Sequence, residues 1–343
     1  MRIAIHKRAG SFSDIWIDHC IENEIPYKEV NCYDNNIIDE LKGCDGLMWH
    51  WDITDYRSDL LARQLTQSLE KMNIQVFPNN NTGWHYDDKV GQKYLLEAID
   101  APFINSYVFF SKSDTENWLS RTSFPKVFKL RGGAGSSNVK LVKNKHVAQK
   151  LVNIAFGKGF SQTNPFKRLK ERIWMLRRDK DFIAAKRLLT GIARLVLKNE
   201  LEKFSHKEKG YIYFQDFIPK NDFDIRLVVV GTKCFGLRRF CRKGDFRASG
   251  SGLKDYDNTK ISTECVQIAF DTTKKLDAQS VAFDFIEHHG EFKIIEISYA
   301  FTSLQFPGYW DKNLNWHNEL VSPQKFMVDE FVNSLEKIPE LIA

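Results

Sequence analysis

The sequence predicts a mixed α/β and α+β protein in three parts, with a basic helical insertion in the second. Three observations carry that prediction. Strand-like and helix-like segments alternate through the first 86 residues, which implies a mostly parallel sheet covered by helices. Phe124 to Val142 reads as a strand, a loop containing Gly132, Gly133, Ala134, Gly135, Ser136 and Ser137, and a second strand. From Gly210 the chain turns strand-rich, with short turns at Lys220-Asn221 and Gly231-Thr232. A chain of 343 residues is long for one core, so two or three domains are expected.

The first domain, 1–86, opens on a strand at Arg2–His6. A helix capped by Ser13 follows to Asn23, with Ile15, Ile17, Cys20 and Ile21 as its apolar positions. Tyr27–Tyr33, Gly46–His50 and Ile74–Phe77 read as strands and Leu60–Met72 as a helix. Pro78-Asn-Asn-Asn-Thr-Gly83 is punctuation between domains. The second domain, 87–210, starts a helix at Asp87-Asp-Lys89 and continues through a strand at Phe103–Ser111 and a short helix at Asp114–Leu119. The glycine loop comes next, followed by a helix from Lys145 to Phe156. The third domain, 211–343, has strands at Tyr211–Ile218, Phe223–Val230 and Cys234–Cys241. After these come a helix at Thr263–Leu276, a hairpin of Ser280–Glu287 with Glu291–Ser298, and a closing helix at Pro323–Leu335.

Charge is unevenly spread. The net charge is +6, yet Ala155–Lys209 alone carries 15 Lys and Arg against 6 Asp and Glu, so the remainder is mildly acidic. Within this insertion, about 157–207, Phe166, Leu169, Ile173 and Leu176 recur at helical spacing, as do Leu188, Leu189, Ile192, Leu195 and Val196. A helical hairpin with a solvated basic face is one reading of the pattern. A peripheral contact with an anionic membrane or polymer is another. Nucleic acid is not expected, because no interleaved aromatic or groove-reading motif accompanies the charge. The six cysteines form no C-x-x-C pair, which favours reduced thiols over a disulfide framework. No run of 18 apolar residues exists and the start lacks a signal peptide's apolar core, so a cytoplasmic protein is expected.

The glycine loop lets backbone N–H groups approach an anion, and Lys129 on the entering strand adds a point charge, although an ordinary glycine-rich hairpin would look the same. No Gly-Lys-Ser/Thr follows the loop and no G-x-G-x-x-G opens a helix. In the C-terminal hairpin, Asp284 and Glu296 are single carboxylates in apolar strands, a costly position unless they are paired or bound to a cation. With Ser298 on the same face as Glu296 they suit a Mg²⁺ site completed by substrate phosphates, with Mn²⁺ as an alternative ion. Two acids salt-bridged to upstream bases is the competing reading. Those bases are Arg226, Arg238, Arg239, Arg242 and Arg247, whose convergence would suit a phosphate or acyl-phosphate.

The ordered set resembles the ATP-grasp superfamily, in particular its RimK-like glutamate ligases. The resemblance runs from Asp88 to Ser298 through Asp88-Lys89, Lys129 with its glycine loop, Gln215-Asp216-Phe217-Ile218 and Asp224-Ile-Arg226. It continues with Arg239, Phe246-Arg247-Ala-Ser249, Asp284 and Glu296-Ile-Ser298. It implies an ATP-grasp fold preceded by a Rossmann-like domain, and an ADP-forming carboxylate–amine ligase working through an acyl-phosphate. By the same resemblance, Lys89 and Lys129 contact ATP phosphates under the loop (Gly132, Gly133, Gly135, Ser136 and Ser137). The segment Asp216-Phe217-Ile218 holds adenine, Asp224 lies near the ribose, and Arg247 and Ser249 contact nucleotide. Arg226, Arg239 and Arg247 hold the transferring group; Asp284, Glu296 and Ser298 bind magnesium. Two departures stand out: Ser298 replaces the family's metal-binding Asn, and Asp216 its commoner Glu.

For the substrates, the aromatic-rich stretch Tyr299–Trp310 with Trp316-His317 directly follows Glu296 and could stack on sugar rings, ordinary packing being the equal alternative. Beside a basic insertion this suggests small carboxylate and amine substrates, among them an acidic glycan or its precursor in cell-surface polysaccharide synthesis. A peptide or protein tail, an ATP-grasp kinase and a non-catalytic nucleotide-binding module are the alternatives. The oligomeric state is left open, with a dimer as one arrangement.

Overall fold

The computed structural model describes residues 1–52, 55–132, 138–161, 207–302 and 304–336, with scattered positions between 169 and 192. Gly133, Gly135, Ser136, Ser137 and most of the expected helical insertion therefore lie outside the described residues.

The N-terminal unit has β1 (Ile3–His6), α1 (Phe12–Glu22), β2 (Tyr27–Val30), α2 (Ile37–Glu40), β3 (Gly46–Met48), α3 (Tyr56–Glu70) and β4 (Gln75–Phe77). Its sheet is parallel in the order β2-β1-β3-β4, as the alternation predicts. Ser13 is not the helix cap. Ser11 caps α1, its hydroxyl accepting from the Ser13 amide at 3.1 Å, while the Ser13 hydroxyl donates to the Arg8 carbonyl. β2 and β3 end earlier than expected, at Val30 and Met48. After the short α4 (Asn80–Gly83) comes α5 (Lys89–Ala98), whose Leu96 packs in the core of the largest sheet.

A four-stranded antiparallel sheet, in the order β5-β8-β6-β7, carries Lys126 and Lys129 on β6. Its strands are β5 (Ser106–Phe109), β6 (Lys126–Lys129), β7 (Lys140–Val142) and β8 (Ile212–Asp216), backed by α6 (Lys112–Arg121) and α7 (Lys145–Ala155). β5 is shorter than the expected Phe103–Ser111, because Pro102 and Ile104 bond instead to Ile294 of the next sheet.

The largest sheet runs β13-β12-β9-β10-β14-β15, with β11 on β10. The strands are β9 (Phe223–Val230), β10 (Lys233–Phe240), β11 (Lys254–Asp255), β12 (Ser280–His288), β13 (Glu291–Ser298), β14 (Tyr309–Trp310) and β15 (Trp316–His317). One face packs on α8 (Thr263–Leu276) through Leu227, Val229, Phe283 and Phe285. On the other, Val228, Val230, Phe235 and Ala282 share a core with the N-terminal unit and with α9 (Pro323–Glu336). The Trp51 amide donates to the Tyr299 hydroxyl at 2.9 Å, tying the N-terminal unit to the segment that leaves β13. The N-terminal unit thus roofs one end of the face that bears the carboxylates.

All six cysteines are free and all but Cys241 are buried. Among the described residues, no helix is long and apolar enough to cross a membrane.

Candidate active site

Strand register assembles the site. Glu296 lies directly opposite Asp284, and Asp284 directly opposite Arg226; two residues along β9, Asp224 faces Arg239 of β10. Alternation along a strand puts Asp224 and Arg226 on one face. Arg226 grips Asp284 with two parallel bonds, Nε to Oδ1 at 2.8 Å and Nη2 to Oδ2 at 2.9 Å. Arg239 spans both aspartates, its Nε 2.7 Å from Asp224 Oδ1 and its Nη2 2.7 Å from Asp284 Oδ2. Burial would push the Asp284 carboxyl up, but Arg226 and Arg239 outweigh it and hold it well below the usual carboxylate range.

A bulge sits between Asp284 and Phe285 in this pairing and skips Ile295. Bulges free backbone groups from the ladder. The Ile295 carbonyl accepts from Lys129 Nζ at 3.2 Å, which fixes that lysine at the base of the site. Burial lowers Lys129 to about 8, with Lys89 adding to the effect and Glu296 and Asp284 opposing it. Lys89 is equally buried, but Glu296 at 3.2 Å and Asp87 at 3.9 Å outweigh desolvation and raise it. Its backbone is placed by Asp88, which caps α5 through the Val90 and Gly91 amides, and by a bond from the Lys89 amide to the Arg131 carbonyl at 3.0 Å. Gly132 allows this approach, since a Cβ there would lie 3.1 Å from Asp87 Oδ2.

Two cavities meet at the carboxylates, sharing Val139, Ala248, Ser249, Asp284 and Glu296. The smaller, about 110 Å³, is lined by Val127, Lys129, Phe217, Ile218, Phe246 and Arg247 among others. The larger, about 600 Å³, reaches Arg8, His50, Asp52 and Tyr86 of the N-terminal unit. Asp216 borders the smaller cavity, but its carboxylate is engaged by Lys126 Nζ at 2.5 Å and Asn105 Nδ2 at 3.2 Å. The Asp216 carboxylate is therefore occupied within the chain.

The expected arginine convergence is met in part. Arg226 and Arg239 meet on Asp284, whereas Arg247 is paired with Asp245, Nε to Oδ1 at 2.8 Å, beside the smaller cavity. Arg238 projects to the opposite face and binds Asp255 at 2.5 Å. Ser298 closes its own turn, its hydroxyl donating to the Ala300 carbonyl at 2.6 Å and accepting from the Ala300 amide at 3.2 Å. Of the aromatic stretch, Phe301 and Phe306 line the larger cavity; Tyr309, Trp310 and Trp316 do not, being used in the β14–β15 hairpin and the core behind it. Sequence reasoning missed Lys126, Arg8, His50 and Lys254. Only Lys126 left a signal, as a second lysine on the strand of Lys129.

Two facing carboxylates with hard oxygen donors fit a magnesium ion whose remaining ligands come from nucleotide phosphates. No cage of three or more His, Cys, Asp or Glu exists among the described residues, so any such ion would depend on those phosphates.

Residues 190–310 match the model of the RimK-like ATP-grasp domain. The fold is ATP-grasp. Similar solved structures include a RimK domain ATP-grasp protein from Sphaerobacter thermophilus, at 14% identity and TM-score 0.52, covering 87% of this chain and 90% of that one. A D-cycloserine synthetase superposes at TM-score 0.58 with 11% identity, over 98% of this chain and 100% of the other. The ATP complex of D-alanine–D-alanine ligase from Bacillus anthracis gives 12% identity and TM-score 0.53, over 87% and 86% of the two chains. A search of the curated proteins finds no match.

Proposed function

We propose that the chain is an ATP-dependent, ADP-forming carboxylate–amine ligase, organised as a 1–86 N-terminal domain and two ATP-grasp subdomains, 87–210 and 211–343. The observation that carries this reading is the meeting of an apolar cleft and a large polar cavity at Asp284 and Glu296, with Lys89 and Lys129 beside the junction. Adenine takes the smaller cavity, against Phe217, Ile218 and Ile286, and the acceptor takes the larger. Lys129 and Lys89 lie against the phosphates. Asp284 and Glu296 would hold magnesium, which when bound neutralises phosphate charge and orients the phosphoryl group.

An acceptor carboxylate oxygen attacks the γ-phosphorus, the β–γ bridging P–O bond breaks, and ADP leaves with that electron pair. Arg226 and Arg239 face this point and stabilise the oxygens of the transferring group. An amine nitrogen then attacks the acyl carbon; the C–O bond to phosphate breaks, inorganic phosphate departs and the nitrogen loses its proton. The chain's contribution is positioning and charge complementarity rather than a covalent nucleophile.

Supporting the substrate reading, the walls of the larger cavity alternate charge with Leu237, Phe301 and Phe306, which suits a small acid with a ring or short carbon body. We place its carboxylate on an acidic sugar or an amino acid, and the enzyme in the cytoplasm, where free thiols persist. The test is a screen of uronic acids, amino acids and acidic peptides against a panel of amines. ADP and inorganic phosphate should appear in equal amounts, only with acid and amine together. Phosphate retained on the product would refute a ligase.

A further inference from the structure

On the ligase reading, the residues confined to the larger cavity face the acceptor, and its cations should each have a reason to be there. Most are matched by carboxylates: Arg8 meets Asp52 at 3.1 Å, Lys89 meets Glu296 at 3.2 Å, and Arg226 and Arg239 share Asp284. Lys254 is different. It lies on β11, directly across from Arg239 on the edge of the sheet, and lines the same cavity at its exposed rim. Its side chain forms no hydrogen bond or ion pair with any described residue. Partial burial and then the Arg239 and Arg226 guanidinium groups lower its pKa. Like charges directly opposite on paired strands repel, so this placement costs stability in the absence of an anion. The neighbouring acid Asp255 points to the other face, where it binds Arg238 at 2.5 Å and Lys260 at 3.4 Å.

We propose that Lys254 is an acceptor-binding residue whose ammonium receives the carboxylate to be activated, holding it against Arg226 and Arg239 at the junction of the two cavities. It does not serve adenine, because it lies on the larger cavity only. A carboxylate and the γ-phosphate share oxyanion chemistry, and the experiment separates them.

Wild type, Lys254→Gln and Lys254→Arg are compared in three measurements. Dissociation of a fluorescent ATP analogue reads nucleotide binding. Hydroxylamine trapping of the acyl-phosphate reads the half-saturating carboxylate concentration. Saturation-transfer NMR of glutarate on the ADP-loaded protein reads carboxylate binding without turnover. Losing one charge-assisted contact should raise the half-saturating carboxylate about 10- to 100-fold in Lys254→Gln. Nucleotide binding should stay within about twofold, and Lys254→Arg should restore most of the loss. An unchanged carboxylate response overturns the assignment. So does a parallel loss of nucleotide affinity, which would place Lys254 on the phosphate. If wild type forms neither ADP nor hydroxamate with any acid, the ligase reading fails and glutarate decides alone: weaker binding in Lys254→Gln keeps the site, and equal or absent binding in both proteins removes it.

Discussion

On the proposed reading, Lys129 should make nucleotide affinity pH-dependent. It is buried, hydrogen-bonded to the Ile295 carbonyl at 3.2 Å, and lowered to about 8 from an ordinary 10.5. The difference corresponds to about 3 kcal/mol against the charged form. Triphosphate beside the ammonium would restore the charge, so binding should take up a proton once the pH exceeds the free-state value. With the complex still protonated at pH 9, the apparent Kd for Mg·ATP should rise about tenfold between pH 7 and pH 9. Calorimetry at pH 9 in two buffers of different ionisation enthalpy should report uptake of close to one proton per nucleotide. Lys129→Arg, which stays charged, should flatten the profile, and Lys129→Ala should bind poorly at every pH and abolish turnover. The nucleotide-free protein should behave oppositely. Folding penalises a charged Lys129, so this residue's contribution to stability improves as pH rises from about 8 towards 10.5, where the unfolded chain still holds the proton. A Kd that is flat from pH 7 to 9.5, together with binding heats independent of buffer, would refute the argument.

Three further outcomes follow from the same geometry. Arg239→Met strands Asp224 and Asp284 in the sheet and should destabilise the fold by about 3–5 kcal/mol in denaturant titration; a loss below about 1 kcal/mol would show that the network is solvated. Glu296→Gln should lower the melting temperature, because buried Lys89 loses its nearer carboxylate, yet still fold, and it should abolish Mg²⁺-dependent ADP formation; comparable turnover in the folded variant would show that Glu296 holds no essential ion. His6, His50 and His85 are lowered by burial from 6.5 to about 4, 3 and 4. They fold neutral, so the unfolded state binds more protons below pH 6.5, and stability should fall by up to about 4 kcal/mol per pH unit between 6 and 4; pH-independent unfolding there would contradict their burial.

Much of the third sheet was legible because its strands are runs of Val, Ile and Phe interrupted by single charges. Asp284 and Glu296 stood out as costly, and pairing places them face to face, with the competing salt-bridge reading also present in Arg226 and Arg239. Arg247 could have been judged differently from sequence. Asp245 two residues earlier offers a local partner, and its carboxylate also accepts from the Arg247 amide at 3.0 Å. Arg8, His50 and Lys254 were not legible. What places them in one cavity is the docking of the N-terminal unit over the C-terminal sheet, through contacts such as Trp51 to Tyr299, more than 240 residues apart in the chain. The aromatic stretch misled in part, because β14 pairs with β10 at Cys234 and draws Trp310 into the core.

The pairing of site charges bears on how ATP would be received. Asp284 holds two guanidinium groups, and Glu296 holds Lys89, so the cations proposed for phosphate are kept in place by the carboxylates proposed for metal. Isolated burial of either set would be expensive, since an unpaired charge in a dry site costs several kcal/mol. Stored together they are close to neutral and already on the correct strands. On the proposed reading, a magnesium nucleotide would exchange these partners: phosphate oxygens would take the arginines and lysines, and Asp284 and Glu296 would hold the cation. The site is thus preorganised without prior unpaired charge, which is how electrostatic stabilisation of a transferring phosphoryl group avoids reorganisation during the reaction. Lys254 would lie outside this exchange, since no carboxylate of the described chain holds it, and on the proposed reading the acceptor would supply its anion.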